Sequence, residues 1–219
     1  MHTEPSWRQW ARRFWSLGYS RVFLILAVIL ALVALALPIW AITEGSQGGG
    51  DWSTTTYGWT SRTRDNYEAG TLKSTTIEYY GGPGFPVPAL ASGSSASYAI
   101  IAVYVMLLIG VFVLFSTEWA RTMPPLFLII ISIVVVLVAL LALFYPVATI
   151  PSAAATSTPL PINGFWGSST APALAWGAGA SWWLLLVAVV LGCFGAAFPY
   201  IKSIRGGPVV EPRAWHPGR

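Results

Sequence analysis

The chain has 219 residues, 55% of them hydrophobic and only 9% charged, with a formal net charge of +4. A soluble domain carries about 25% charged residues, so the composition argues against a soluble fold and for an integral membrane protein. The basic excess does not indicate nucleic acid: nine of the twelve Lys and Arg residues (Arg8, Arg12, Arg13, Arg21, Arg121, Lys202, Arg205, Arg213 and Arg219) flank apolar segments on one side, which is the signature of membrane orientation.

In chain order, residues 5–19 read as a short interfacial helix. Trp7, Trp10, Phe14 and Leu17 fall on one face, with Arg8 and Arg12 off it. A basic, Trp-bearing amphipathic helix beside a span anchors at the headgroups; the alternative is a docking surface for a cytoplasmic partner. The first span runs from Val22 to Thr43. Arg12-Arg13 ahead of it and Ala34-Leu35-Ala36 within it imitate an export signal, but the run continues to Ile42 and is too long for one. Three further spans follow at 98–117, 126–150 and 174–201. None of the four contains Asp, Glu, Lys, Arg or His, and each reaches the roughly 20 residues a bilayer crossing needs. Arg62, Arg64 and Lys73 are the only basic residues in the long loops. The positive-inside rule therefore puts both termini in the cytoplasm and loops 44–97 and 151–173 outside, in the cell membrane.

The first outer loop is dense in strand formers over 52–63 and 71–80, with turn chemistry across Arg64–Gly70. Residues 81–88, rich in Gly and Pro, are irregular. Pro124-Pro125 suits a helix start after a short link, so spans two and three form an antiparallel hairpin. In the second outer loop, 163–167 could add an edge strand. Span four is bounded by small residues. Gly177 with Ser181, and Gly192 with Ala196, are each one turn apart and read as helix-packing positions, within the bundle or against a second subunit. Trp40, Trp176, Trp182 and Trp183 near the outer boundary form an aromatic belt. The expected fold class is all-α membrane: a four-transmembrane-helix bundle, one unit over 1–219, with a small extracellular antiparallel β-sheet formed by the first outer loop.

Chemistry is sparse. Cys193 is the one cysteine, so no disulfide can form within the chain and its plain reading is a packing residue. His2 and His216 sit in the two tails, which argues against paired haem ligation or a His-based metal cage. No phosphate-binding loop follows a strand. Asp51, Asp65, Glu68 and Glu78 match no Ca²⁺ loop and read as a solvated face. Catalytic residues, cofactor and metal are therefore all expected to be none.

Leu37-Pro38-Ile39-Trp40 closing span one, followed by Trp52 and by Tyr57-Gly58-Trp59, resembles the motif of the claudin superfamily, which includes peripheral myelin protein. The span layout and Trp176–Trp183 opening span four are similar too. The resemblance implies that Trp40, Trp52, Gly58 and Trp59 are motif residues and that the fold serves adhesion, sealing or an accessory role. The chain departs from the pattern at the loop cysteines: Arg62 and the stretch Thr71–Lys73 stand in their place, so the family's loop disulfide is absent. Three functions compete. The first is a non-catalytic accessory or structural subunit of a membrane complex, partnered by lipid and by other integral subunits. The second is a self-associating adhesion protein. The third is a small transporter or lipid-handling protein drawing on Ser132, Tyr104, Tyr145 and Ser181.

Overall fold

A computed structural model describes residues 18–45, 50–80, 88–116, 124–157 and 161–204. The described chain holds helix α1 (Tyr19–Ala34), strands β1 (Trp40–Glu44), β2 (Trp52–Tyr57), β3 (Ser61–Glu68) and β4 (Thr71–Tyr79), helices α2 (Pro88–Ser116) and α3 (Pro125–Ser157), strands β5 (Gly167–Thr170) and β6 (Ala173–Ala178), and helix α4 (Ala180–Ile204). The interfacial segment with Trp7, Trp10 and Phe14 lies outside the described residues, as does the link at 117–123.

Stretches of α2, α3 and α4 (Ala89–Ser116, Leu126–Ala155 and Ala180–Pro199) are long and apolar enough to cross a membrane, while α1 is shorter at 16 residues. Val22, Leu24, Ala27, Ala31 and Ala34 line the buried stripe of α1, recurring at roughly the 3.6-residue period of a helix. The helices form a ring in which α1 touches α2 and α4, and α3 touches the same two. Leu24, Tyr104, Leu108, Val135, Ala139 and Leu185 belong to its shared core.

The class is mixed rather than all-α, because the sheet is larger than a single loop. It has six strands in the order β4-β3-β2-β1-β6-β5, and every neighbouring pair is antiparallel. The end of the first apolar run read as a helical span and the start of the fourth contribute to it. The 22–43 run stops being helix at Ala34, because Pro38 cannot continue one and disfavours α geometry in the residue before it. The chain then re-forms as β1, with Trp40 and Ile42 facing in. Likewise 173–178 is strand, with Leu174 and Trp176 buried and Ala173 and Ala175 exposed. That two-residue alternation is a strand's, not a helix's.

The second outer loop adds the edge strand β5 at 167–170, just after the 163–167 segment expected to supply one. The Arg64–Gly70 segment is mostly strand. Its turn shrinks to Ala69-Gly70, both with positive φ (49° and 78°), the geometry of a two-residue hairpin loop.

Candidate functional site

The motif and packing residues meet at the junction between sheet and bundle, and the junction is built on the last carbonyls of α1. A helix C-terminus leaves its final C=O groups without intrahelical donors. Here Ala34 O accepts from Ser181 Oγ at 2.6 Å, from Trp59 Nε1 at 3.2 Å and from the Leu37 amide at 3.2 Å. The next turn docks on the start of α4: Gly179 N donates to Ile39 O at 2.8 Å and Ser181 N to Pro38 O at 3.0 Å. A Cβ on Gly179 would collide with the Pro38 carbonyl, so only glycine allows this approach. Ile39 N in turn donates to Tyr57 O at 2.8 Å, which locks β2 to the same turn.

Trp40 is fully buried, and its Nε1 donates to Phe165 O at 2.8 Å, holding the segment before β5 against β1. Its ring lies 5.2 Å from that of Tyr57. Gly58 shapes the β2–β3 turn: its amide donates to Ser61 O at 2.9 Å and its carbonyl accepts from Tyr80 Oη at 3.1 Å. Three of the four motif residues therefore converge at the junction. Trp52 does not. It stacks flat on Tyr67 at 3.8 Å on the opposite face of the sheet.

One polar row crosses the sheet beside the junction, through the paired positions Trp40, Tyr57, Arg62 and Glu78. Arg62 and Glu78 form a close ion pair. Burial pushes the Tyr57 phenol above its ordinary pKa of 10.0, and the neighbouring Arg62 guanidinium partly opposes that rise. Burial raises Tyr80 as well, with the Tyr57 phenol adding to the rise. Both therefore stay neutral hydrogen-bonding groups at physiological pH.

The four packing positions divide. Gly177 is not helical: it lies in β6 opposite Ala41, and a Cβ there would meet Trp166 Cδ1 at 2.8 Å. Ser181, Gly192 and Ala196 are in α4 and buried. A Cβ on Gly192 would occupy the place of the Tyr104 hydroxyl, and that hydroxyl donates to Ala188 O at 3.1 Å. Ser132 Oγ shares its proton between Leu128 O of its own helix, at 2.8 Å, and Ala196 O, at 3.1 Å, and Ser20 Oγ donates to Gly195 O at 2.5 Å. Pro199, four residues beyond Gly195, has no N–H to offer that carbonyl, so Ser20 supplies the missing donor. The other three helices thus all hydrogen-bond into the α4 backbone.

Sequence reasoning missed the roles of Ser20, Arg21 and Gly179. Arg21 donates through Nε and Nη2 to Phe115 O, at 2.9 and 2.5 Å, closing the far end of α2. A cation suits the negative end of a helix dipole. The available signal was an arginine one turn into an apolar helix whose antiparallel neighbour ends alongside it.

Outside the junction, β4 is exposed along its length except at Glu78. An open depression of about 480 Å³ lies at the sheet's outer end, lined by Glu44, Asp51, Trp52, Tyr67, Glu68 and Lys73 among others. Its Lys73–Glu68 pair, at 3.0 Å, is solvent-exposed and contributes little. Among the described residues, no group of three or more His, Cys, Asp or Glu is placed to hold a metal ion. No protein-family model matches the chain, and no curated protein is significantly similar to it.

Proposed function

We propose that this protein is a non-enzymatic, multi-pass membrane protein that serves as a structural or accessory subunit, with cytoplasmic termini and the sheet outside. The observation that carries the reading is the fate of the polar side chains inside the bundle. Three of the four groups a transporter or lipid-handling site would draw on, Tyr104, Ser132 and Ser181, donate to backbone carbonyls of other helices, Tyr145 being the exception. Ser20 does the same. Such groups glue helices together where lipid offers no hydrophobic drive to association, and hydroxyls committed in this way have no proton left to donate to cargo. The remaining surface of the helices is apolar, including Val103, Met106, Ile130, Leu137, Leu141 and Val187, all of them exposed. It suits contact with lipid and with other membrane segments. The claudin-like motif is consistent with this reading, since Trp40, Gly58 and Trp59 join the outer sheet to the helices.

Native mass measurement after gentle detergent extraction tests the proposal. Stoichiometric co-purification with unrelated integral subunits is the expected result, and solute flux by the isolated, reconstituted protein would overturn it. A second reading, self-association through the outer loops, is favoured by β4, a nine-residue edge strand. A strand with no neighbour on one side presents a row of backbone groups ready to pair. A ladder of homo-oligomers in the same measurement would select it.

A further inference from the structure

Two of the four helices are much longer than a bilayer requires, yet the surface they offer to lipid is short. On α3 the exposed large apolar residues begin at Leu126 and end at Phe144, a rise of about 27 Å at 1.5 Å per residue. Beyond Phe144 the exposed positions of α3 are small or polar, Ala148 and Ser152. On α2 the corresponding stretch runs from Tyr98 to Val113, about 22 Å. Before Tyr98 its exposed positions are Ala89, Ser92 and Ser95. These two sheet-end extensions pack on each other and bury Leu90, Ser94, Ile150, Ala153 and Ala154. They form a stalk above the apolar belt rather than more of it.

The other pair agrees. On α4 the stretch from Trp183 to Ile201 rises about 27 Å, and on α1 the stretch from Tyr19 to Val33 rises about 21 Å. Arg21 limits α1 further, because its guanidinium is fixed on Phe115 O at the far end of α2. A charged group is not drawn into hydrocarbon without cost. At the other limit, half-exposed aromatic rings of Tyr98, Trp166 and Trp183 stand where the belt meets the sheet, the place such rings take at a membrane interface. Tilt can only reduce these heights. An average hydrocarbon core is about 30 Å thick.

We propose that the bundle carries an apolar belt about 25 Å tall and selects, or locally thins, its bilayer accordingly, taking short-chain phospholipids as its boundary lipids. The inference rests on the membrane reading above and adds the class of lipid to it. The test is reconstitution of the full chain into vesicles of dimyristoleoyl, dipalmitoleoyl, dioleoyl, dieicosenoyl or dierucoyl phosphatidylcholine. Quenching of tryptophan fluorescence by a brominated phosphatidylcholine competing with each host lipid is then measured. Association should be strongest for dimyristoleoyl or dipalmitoleoyl chains and at least about three-fold weaker for dierucoyl chains. Strong quenching that is equal in every host, or weakest in dioleoyl or longer-chain hosts, would overturn the thin-belt inference while leaving membrane insertion standing. An absence of quenching in every host would overturn the membrane reading itself, and this inference with it.

Discussion

Trp40 and Trp59 offer the same chemical perturbation with two different expected costs. Replacing either by Phe removes an indole N–H donor and part of a ring. For Trp59 the abandoned acceptor is Ala34 O, which keeps Ser181 Oγ at 2.6 Å and the Leu37 amide at 3.2 Å. The loss is therefore the net value of one hydrogen bond, about 1 kcal/mol. For Trp40 the acceptor is Phe165 O, for which no second donor is found among the described residues, and the indole is wholly buried. Leaving a buried carbonyl without a partner brings the cost to about 2 kcal/mol, within the range of about 1–3 kcal/mol for such groups. Amide hydrogen exchange in β1 and β2, measured where the opening equilibrium sets the rate, reads this difference directly. With a factor of ten for each 1.4 kcal/mol or so, W59F should accelerate exchange about five-fold and W40F about thirty-fold. W59F equalling or exceeding W40F would refute the idea that acceptor redundancy sets the cost.

Three other predictions follow from the same contacts. G192A should lower bundle stability by about 2–4 kcal/mol, because the new methyl group displaces the Tyr104 hydroxyl from Ala188 O. Y104F, which vacates that space, should recover a good part of the loss in a double-mutant cycle followed by thermal unfolding in detergent, and strict additivity would dismiss the contact. G179A should uncouple α4 from the turn after α1, since its Cβ meets Ile39 C at 2.9 Å; wild-type exchange rates at β6 in that variant would count against it. Tyr57 and Tyr80 have folded pKa values raised above 10.0. Their contribution is thus complete below pH 10 and is lost as pH climbs towards the folded values, because the unfolded chain ionises first. The sheet should therefore melt under alkali, later in Y80F than in wild type; the same alkaline midpoint in both would contradict the burial.

The helical parts of the fold were legible because long uncharged runs leave few alternatives, and a threonine- and tyrosine-rich loop reads as sheet. The boundaries were not. Trp40–Thr43 and Leu174–Ala178 are as apolar as the helices they adjoin, so composition merges them with the spans. Only the alternation of buried Trp40 and Ile42, or Leu174 and Trp176, with small neighbours betrays a strand, and five or six residues are a thin sample of that period. Gly177 illustrates the cost. One turn from Ser181 on a helix, it looked like a packing partner, but it is a strand residue packed against Trp166. The link between Trp59 and Ala34 was out of reach in another way. It joins a loop indole to a helix-end carbonyl 25 positions away, and no local pattern encodes that pairing.

The sheet hangs from the bundle by very short hinges. Five residues separate α1 from β1, and one, Gly179, separates β6 from α4. β1 and β6 are also hydrogen-bonded neighbours within the sheet. A pull or twist applied to the sheet has no slack to take up before it reaches α1 and α4, so the two helices and the strands they continue into should move as a single lever. A partner that grips the strands could thereby tilt this pair against the rest of the bundle.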